Sequence, residues 1–182
     1  MSQGVMKDEK MVQMLKERIR HVPDFPKPGI LFYDVTTLLK DRDGFRMAVD
    51  EMAAPYEDAG VDVVVGIESR GFIFGSAVAD RLKTGFAPVR KPGKLPSKTQ
   101  RASYSLEYGT DSLEIHDDAV KAGQRVLVVD DLLATGGTAA AAVTLVRGLK
   151  ADVIGLQFLI ELVGLNGRDK LRDEKVGAVL QY

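Results

Sequence analysis

Two adjacent carboxylates, Asp130 and Asp131, stand at the end of the apolar run Val126-Leu127-Val128-Val129. Leu132, Leu133 and Ala134 separate them from Thr135-Gly136-Gly137-Thr138. Carboxylates accept hydrogen bonds from hydroxyl groups and repel phosphates. Glycines let backbone N–H groups close on a phosphate with no side chain between, and threonine hydroxyls add donors. The combination suits a phosphorylated sugar, with its phosphate on residues 135–138 and its hydroxyls on the two acids. A glycine pair at a βα turn is ordinary by itself; the acid pair ahead of it is what adds chemistry. Two other phosphate loops are absent, since neither G-x-x-x-x-G-K-[ST] nor G-x-G-x-x-G occurs in the sequence.

A second polar turn, Glu68-Ser69-Arg70-Gly71, follows the apolar run 61–67. A pyrophosphate needs N–H donors and a cation, and Ser69, Gly71 and Arg70 supply them. Further on, Arg90, Lys91, Lys94, Lys98 and Arg101 lie on or beside residues 91–102, a polar stretch rich in Pro, Gly and Ser. A stretch of this length without periodicity reads as a flexible lid. Its cations, Lys91 and Lys94 ahead of Lys98, are expected to close over a pyrophosphate and keep water from it.

The elements that must position these residues follow from periodicity. Met11, Met14, Leu15 and Ile19 predict an amphipathic helix over residues 7–20. Pro23, Pro26, Pro28 and Gly29 break the chain before the apolar piece 30–34. A second helix is expected over residues 44–58, with Pro55 marking its last turn. Strands are expected at 61–67, 86–90, 126–129, 152–161 and 176–180, and helices after Gly71 and over 139–149. Residues 104–108 and 113–115 alternate around Gly109-Thr110-Asp111, which predicts a β-hairpin. One helical turn is expected at 117–122 and a short helix at 165–171. Strands alternating with helices predict a single α/β domain over residues 1–182, with a mostly parallel sheet flanked by helices. The N-terminal segment (about 7–40) and the lid with its hairpin (about 91–116) are attachments to it.

Composition narrows the partners. The formal net charge is −1, so the chain carries no global electrostatic footprint for nucleic acid or for a membrane. No apolar run approaches the roughly 20 residues of a membrane span. There is no cysteine, which excludes thiolate metal sites and cysteine nucleophiles, and two histidines make a histidine-built metal site unexpected. The N-terminus is polar and lacks a signal peptide's apolar core. The expected location is a reducing cytoplasm.

The string from Val126 to Thr138 closely resembles the signature of the type I phosphoribosyltransferases, which bind phosphoribosyl pyrophosphate. Phe25-Pro26-Lys27-Pro28-Gly29, Glu68-Ser69-Arg70-Gly71-Phe72 and Ser105-Leu106-Glu107-Tyr108-Gly109 narrow the likeness to members that use adenine. It runs from about Glu17 to Tyr182. The resemblance implies the fold of that family, with an N-terminal hood and a hairpin lid, and the salvage reaction that makes AMP and pyrophosphate. It places the ribose hydroxyls on Asp130 and Asp131 and the 5′-phosphate on Ala134, Thr135, Gly136, Gly137 and Thr138. It places the pyrophosphate on Glu68, Ser69, Arg70 and Gly71, with Lys91 and Lys94, and members often have a cis peptide at the bond matching Glu68–Ser69. Glu107 matches the residue that handles the adenine proton, with Tyr108 beside it. Catalysis is assigned to Glu107, Arg70 and Lys91. Leu31 and Phe32 match the hood over the base, and Leu132 flanks the base from below. Tyr33 departs from the arginine that many relatives carry in the hood. Magnesium is expected through substrate and water rather than direct protein ligands, and a homodimer is expected.

Two other readings share these features. One is the same chemistry on hypoxanthine, guanine, xanthine or orotate. The other is a non-catalytic sensor of phosphoribosyl pyrophosphate; such regulators usually add a DNA-binding part, and no such extension or basic domain is visible.

Overall fold

The computed structural model describes residues 9–106 and 109–182. Residues up to Asp50 and from Glu51 on form two compact units.

In the first unit, α1 (Glu9–Lys16) buries Met11 and Leu15, one turn apart on the same face. The helix ends at Lys16, four residues before the end its apolar pattern predicts; residues 7 and 8 lie outside the described residues. Arg18 donates to the Met14 carbonyl (2.7 Å) and to Asp41 Oδ1 (3.0 Å), and the chain then turns into β1 (Arg20–Pro23). β1 pairs antiparallel with β2 (Leu31–Asp34), Pro23 opposite Leu31. The proline-rich turn between them is closed by the Gly29 N–H, which donates to Asp24 Oδ1 at 2.7 Å. α2 (Thr36–Leu39) and α3 (Arg42–Ala53) follow, and Pro55 ends α3 in a turn of 3-10 helix over Ala54–Tyr56.

The second unit is built on five strands in the order β4-β3-β7-β8-β9, every neighbouring pair parallel. They are β3 (Val63–Ile67), β4 (Gly85–Val89), β7 (Arg125–Leu133), β8 (Asp152–Glu161) and β9 (Val176–Gln181). α4 (Gly71–Leu82) packs on β3 and β7, and α5 (Gly137–Gly148) on β7 and β8. The expected parallel sheet with flanking helices is what forms. β3 is buried along its whole length, which is why it reads as a continuous apolar run rather than an alternation. Pro88 is tolerated because β4 is an edge strand. β5 (Thr99–Leu106) and β6 (Gly109–His116) form a hairpin, but Gly109, Thr110 and Asp111, expected as its turn, are strand residues of β6 opposite Leu106, Ser105 and Tyr104; β5 lies on α5. Val65 and Ile67 of β3, Val126 and Val128 of β7, Leu113 and Ile115 of the hairpin and Leu145 of α5 share one core. Each fully buried side chain of this kind contributes about 1.5–3 kcal/mol.

Strand order decides where a site can form. From β3 the chain crosses through α4 to β4 on one side; from β7 it crosses through α5 to β8 on the other. The order therefore reverses between β3 and β7, and a crevice opens at their carboxyl ends, where ligands bind in sheets of this type.

Further expectations change. Asp130 and Asp131 do not lie in a turn: β7 runs on to Leu133, because the long apolar β8 keeps pairing with it, Asp130 opposite Phe158 and Leu132 opposite Ile160. The polar stretch 91–102 is not wholly a loop, since residues 99–102 pair with β6 and Arg101 is matched there by the buried Glu114. Residues 117–122 form no helix, and the expected helix at 165–171 is two pieces of 3-10 helix, Val163–Leu165 and Gly167–Leu171.

Candidate active site

A cleft of about 340 Å³ occupies the crevice beyond β3 and β7. It brings together Glu68, Ser69, Arg70 and Lys91 with Asp130, Asp131, Leu132 and residues 134–138. These were the two polar turns and one lid cation of the sequence.

Asp130 and Asp131 are both buried, at 8% and 7% exposure. The Asp131 N–H donates to Asp130 Oδ1 at 2.8 Å. Burial, and then the neighbouring Asp131 charge, push the Asp130 carboxyl well above the usual carboxylate range. Arg70 reaches across from the loop after β3 and donates through Nε to Asp131 Oδ2 at 2.5 Å. Gly71 opens α4 directly against this pair: a Cβ there would stand 2.6 Å from Asp130 Oδ1 and 3.1 Å from the Val129 carbonyl oxygen. The Glu68–Ser69 peptide is cis, as the family resemblance implies. Ser69 is exposed, and its carbonyl accepts the Phe72 N–H at the start of α4.

Gly136 precedes α5 with φ +77°, a left-handed conformation that glycine adopts without strain. The Ala140 N–H donates to the Gly136 carbonyl at 3.0 Å. The N–H groups of Gly137, Thr138 and Ala139 come before that bond and line the cleft with the positive end of the helix. This is an anion cradle, and it stands beside the two acids without including them.

Glu68 faces the base of the lid. Its carboxylate accepts the Lys91 N–H at 2.8 Å and Arg90 Nε and Nη2 at 3.3 and 3.2 Å. Burial works to raise its pKa, but the Arg90 and Lys91 hydrogen bonds outweigh burial and hold it below the usual range. Lys91 Nζ is ion-paired with Asp111 Oδ2 and lies 3.3 Å from the Tyr104 hydroxyl, which itself donates to Asp111 Oδ2 at 3.1 Å. Burial lowers the Lys91 pKa, and Asp111 and Tyr104 more than reverse this. Lys94 is exposed, and its carbonyl accepts Arg90 Nη1 at 3.1 Å.

Leu31 and Phe32 belong to the first unit, where Leu31 is 44% exposed and Phe32 meets Phe25 edge to face at 5.1 Å. Tyr33 meets His21 in the same manner, also at 5.1 Å. Glu107 and Tyr108 lie outside the described residues. Sequence reasoning missed Tyr104 and Asp111 as the partners of Lys91. The two are directly opposed in the hairpin, a register that alternation alone does not fix. It also missed Ala139, which lines the cleft through its backbone position.

An acid pair, an anion cradle and an arginine-bearing loop thus line one switch crevice. The family model of the phosphoribosyl transferase domain matches residues 36–178, and the chain belongs to that family. Its fold is that of the type I members. Within the family it groups with the adenine phosphoribosyltransferases. The enzyme of that name from Acidobacterium capsulatum is 58% identical over 168 residues, 92% of this chain and 93% of that protein. The one from Acaryochloris marina is also 58% identical, over 92% of this chain and 99% of that protein. The crystal structure of the Thermoanaerobacter pseudethanolicus enzyme superimposes with a TM-score of 0.91 at 49% identity, covering 94% of this chain and 99% of that one. The Saccharomyces cerevisiae enzyme, solved with adenine and an imino-altritol bisphosphate, gives 0.89 at 41% identity over 94% and 99%.

Proposed function

We propose that this chain transfers the 5-phosphoribosyl group of phosphoribosyl pyrophosphate to N9 of adenine, forming AMP and releasing pyrophosphate in purine salvage. The observation that carries the reading is the pairing, across one crevice, of the acid-and-cradle strand end with the Arg70 loop. The names of relatives at 58% identity support adenine as the base.

Each group then has a task. Residues 134–138 and the start of α5 hold the 5′-phosphate. Asp130 and Asp131 accept hydrogen bonds from the ribose hydroxyls and favour positive charge at C1. Ser69, Arg70 and Gly71 hold the pyrophosphate, with Glu68 fixing the base of the lid beside them. The bond between C1 and the pyrophosphate oxygen breaks, its electron pair leaves with pyrophosphate, and the N9 lone pair bonds to C1. Arg70 and Lys91, with Lys94 from the lid, neutralise the leaving group. Glu107 takes the proton that adenine loses, and Tyr108 stands beside it. Leu132 flanks the base, Leu31 and Phe32 belong to its hood, and backbone groups at Leu31 read its edge. The roles of Glu107, Tyr108, Leu31, Phe32 and Leu132 rest on family likeness.

Magnesium belongs to the same proposal. Among the described residues no cluster of three carboxylate or imidazole groups occurs, and Asp131 is already paired with Arg70. We take magnesium to be held by substrate oxygens and water rather than by direct protein ligands. When bound it would supply charge neutralisation on the pyrophosphate. A homodimer and a cytoplasmic location are further parts of the proposal and rest on likeness alone. No helix among the described residues is long and apolar enough to cross a membrane.

The test is pyrophosphate release with magnesium and phosphoribosyl pyrophosphate, each nucleobase supplied in turn. Release with adenine alone supports the reading. Release with an oxo-purine instead overturns the base assignment, and no release with any base, despite substrate binding, moves the chain to the sensor class.

A further inference from the structure

Gly167 opens the second 3-10 piece after β8 and is packed backbone to backbone on the phosphate loop. A Cβ at Gly136 would collide with the Gly167 carbonyl oxygen, and a Cβ at Gly167 with the Ala134 carbonyl oxygen and, at 2.9 Å, with Leu133 Cδ1. Two glycines face each other because nothing larger fits. The next residue fixes this contact. Arg168 donates through Nε and Nη2 to the two carboxylate oxygens of Glu161, at 2.6 and 2.7 Å, and through Nη1 to the Val176 carbonyl at 2.9 Å. Gln181 Nε2 donates to Glu161 Oε2 at 3.0 Å. Glu161 itself is buried at the end of β8, opposite Leu133 of β7. The Leu162 N–H ties the following residue to the Leu133 carbonyl at 2.9 Å.

A buried carboxylate needs its cation, and a bidentate guanidinium defines position and orientation together. Every nitrogen of Arg168 is engaged away from the cleft, and neither Arg168 nor Glu161 lines it. We propose that Glu161 and Arg168 are positioning residues for the 5′-phosphate: their clamp presses Gly167 against Gly136 and so sets the shape of the phosphate loop. The proposal rests on the phosphoribosyl-binding reading of that loop. The pyrophosphate loop after β3 has no part in the clamp, so the two ends of the substrate should respond differently.

The experiment measures equilibrium binding of ribose 5-phosphate, AMP and pyrophosphate to the full chain, with KM and kcat for phosphoribosyl pyrophosphate. Arg168→Lys keeps the charge and loses the bidentate geometry; Gly167→Ala pushes on the loop and leaves the clamp intact. Both should weaken ribose 5-phosphate and AMP about tenfold to a hundredfold, the range expected for losing one hydrogen bond to a charged group. Pyrophosphate affinity and kcat at saturation should stay near wild type. Wild-type ribose 5-phosphate binding in both variants would overturn the proposal, as would equal weakening of ribose 5-phosphate and pyrophosphate. If Arg168→Lys does not fold, Gly167→Ala decides. Should the wild-type chain make no AMP, the functional reading fails, and ribose 5-phosphate binding still decides the clamp.

Discussion

Arg70 Nε stands 2.5 Å from Asp131 Oδ2, so the loop after β3 is joined to the end of β7 across the crevice the substrate must enter. The arginine side chain is 39% exposed and the aspartate 9%. Asp131 thus fixes Nε of an arginine that lines the cleft, where the pyrophosphate is proposed to sit. Replacing Arg70 by Gln removes a cation from the leaving group and leaves Asp131 beside Asp130 without its counter-charge. Steady-state assays should show turnover falling about 10²- to 10³-fold, and a thermal melt should show lower stability. Unchanged turnover would place Arg70 outside the reaction.

Asp130 should act on activity and stability in opposite directions. Its pKa is raised, first by burial and then by the Asp131 charge. An acid whose folded pKa lies above its unfolded value opposes folding when ionised. The penalty is absent below the unfolded value, grows as pH rises through the window between the two values, and is complete above it. Asp130→Asn removes that penalty and keeps an oxygen that can accept the Asp131 N–H. The variant should therefore melt higher than wild type at neutral pH, by about 2–4 °C for each kcal/mol gained, and match it in acid. Turnover should drop about a hundredfold, because a ribose acceptor is weakened. Melting curves across pH check the sign; a variant that melts lower at neutral pH would show that the charged pair stabilises the fold.

Lys91 already has an anion. Its Nζ pairs with Asp111, and both touch the Tyr104 hydroxyl. To meet a pyrophosphate the lysine must give up Asp111, so the acid competes with substrate. With side chains 42% and 29% exposed, such a pair is worth about 0.2–1 kcal/mol. Asp111→Asn should lower the KM for phosphoribosyl pyrophosphate by roughly two- to fivefold and strengthen inhibition by product pyrophosphate. A raised KM would mean that Asp111 serves to orient Lys91 rather than to compete for it.

The sheet and the acid-and-glycine string were legible because their signals are local. β3, β7 and β8 are apolar runs, and the two glycines with their threonines announce a backbone-lined turn. What stayed hidden depends on partners far apart in sequence. Nothing local says that β7 continues through two acids; the ladder with Phe158 and Ile160 does that. Glu68 reads as one more substrate contact; it lines the cleft, and the structure adds that its carboxylate accepts from Arg90 and the Lys91 N–H, partners more than 20 residues away. Gly167 falls unremarked inside the helix expected at 165–171 until the structure sets it against Gly136.

Gly71 offers the sharpest test of close packing at the site. A methyl group there would meet Asp130 Oδ1 at 2.6 Å and, at 3.1 Å, a backbone oxygen that cannot swing away. Either α4 retreats, moving Ser69 and Arg70, or Asp130 rotates out of its place. Both displace groups proposed to hold opposite ends of the breaking bond, and a shift of about 1 Å can cost about a hundredfold in rate. Gly164→Ala is the matched control, since a Cβ there meets nothing within 4 Å; it should stay within about 0.5 kcal/mol of wild type in stability and keep full activity. Gly71→Ala should fold, lose most of its turnover and bind pyrophosphate more weakly, measured by calorimetry beside the control. Equal activity in the two variants would mean that the contact between Gly71 and Asp130 has slack, and that the crevice tolerates a wider spacing of β3 and β7 than this structure has.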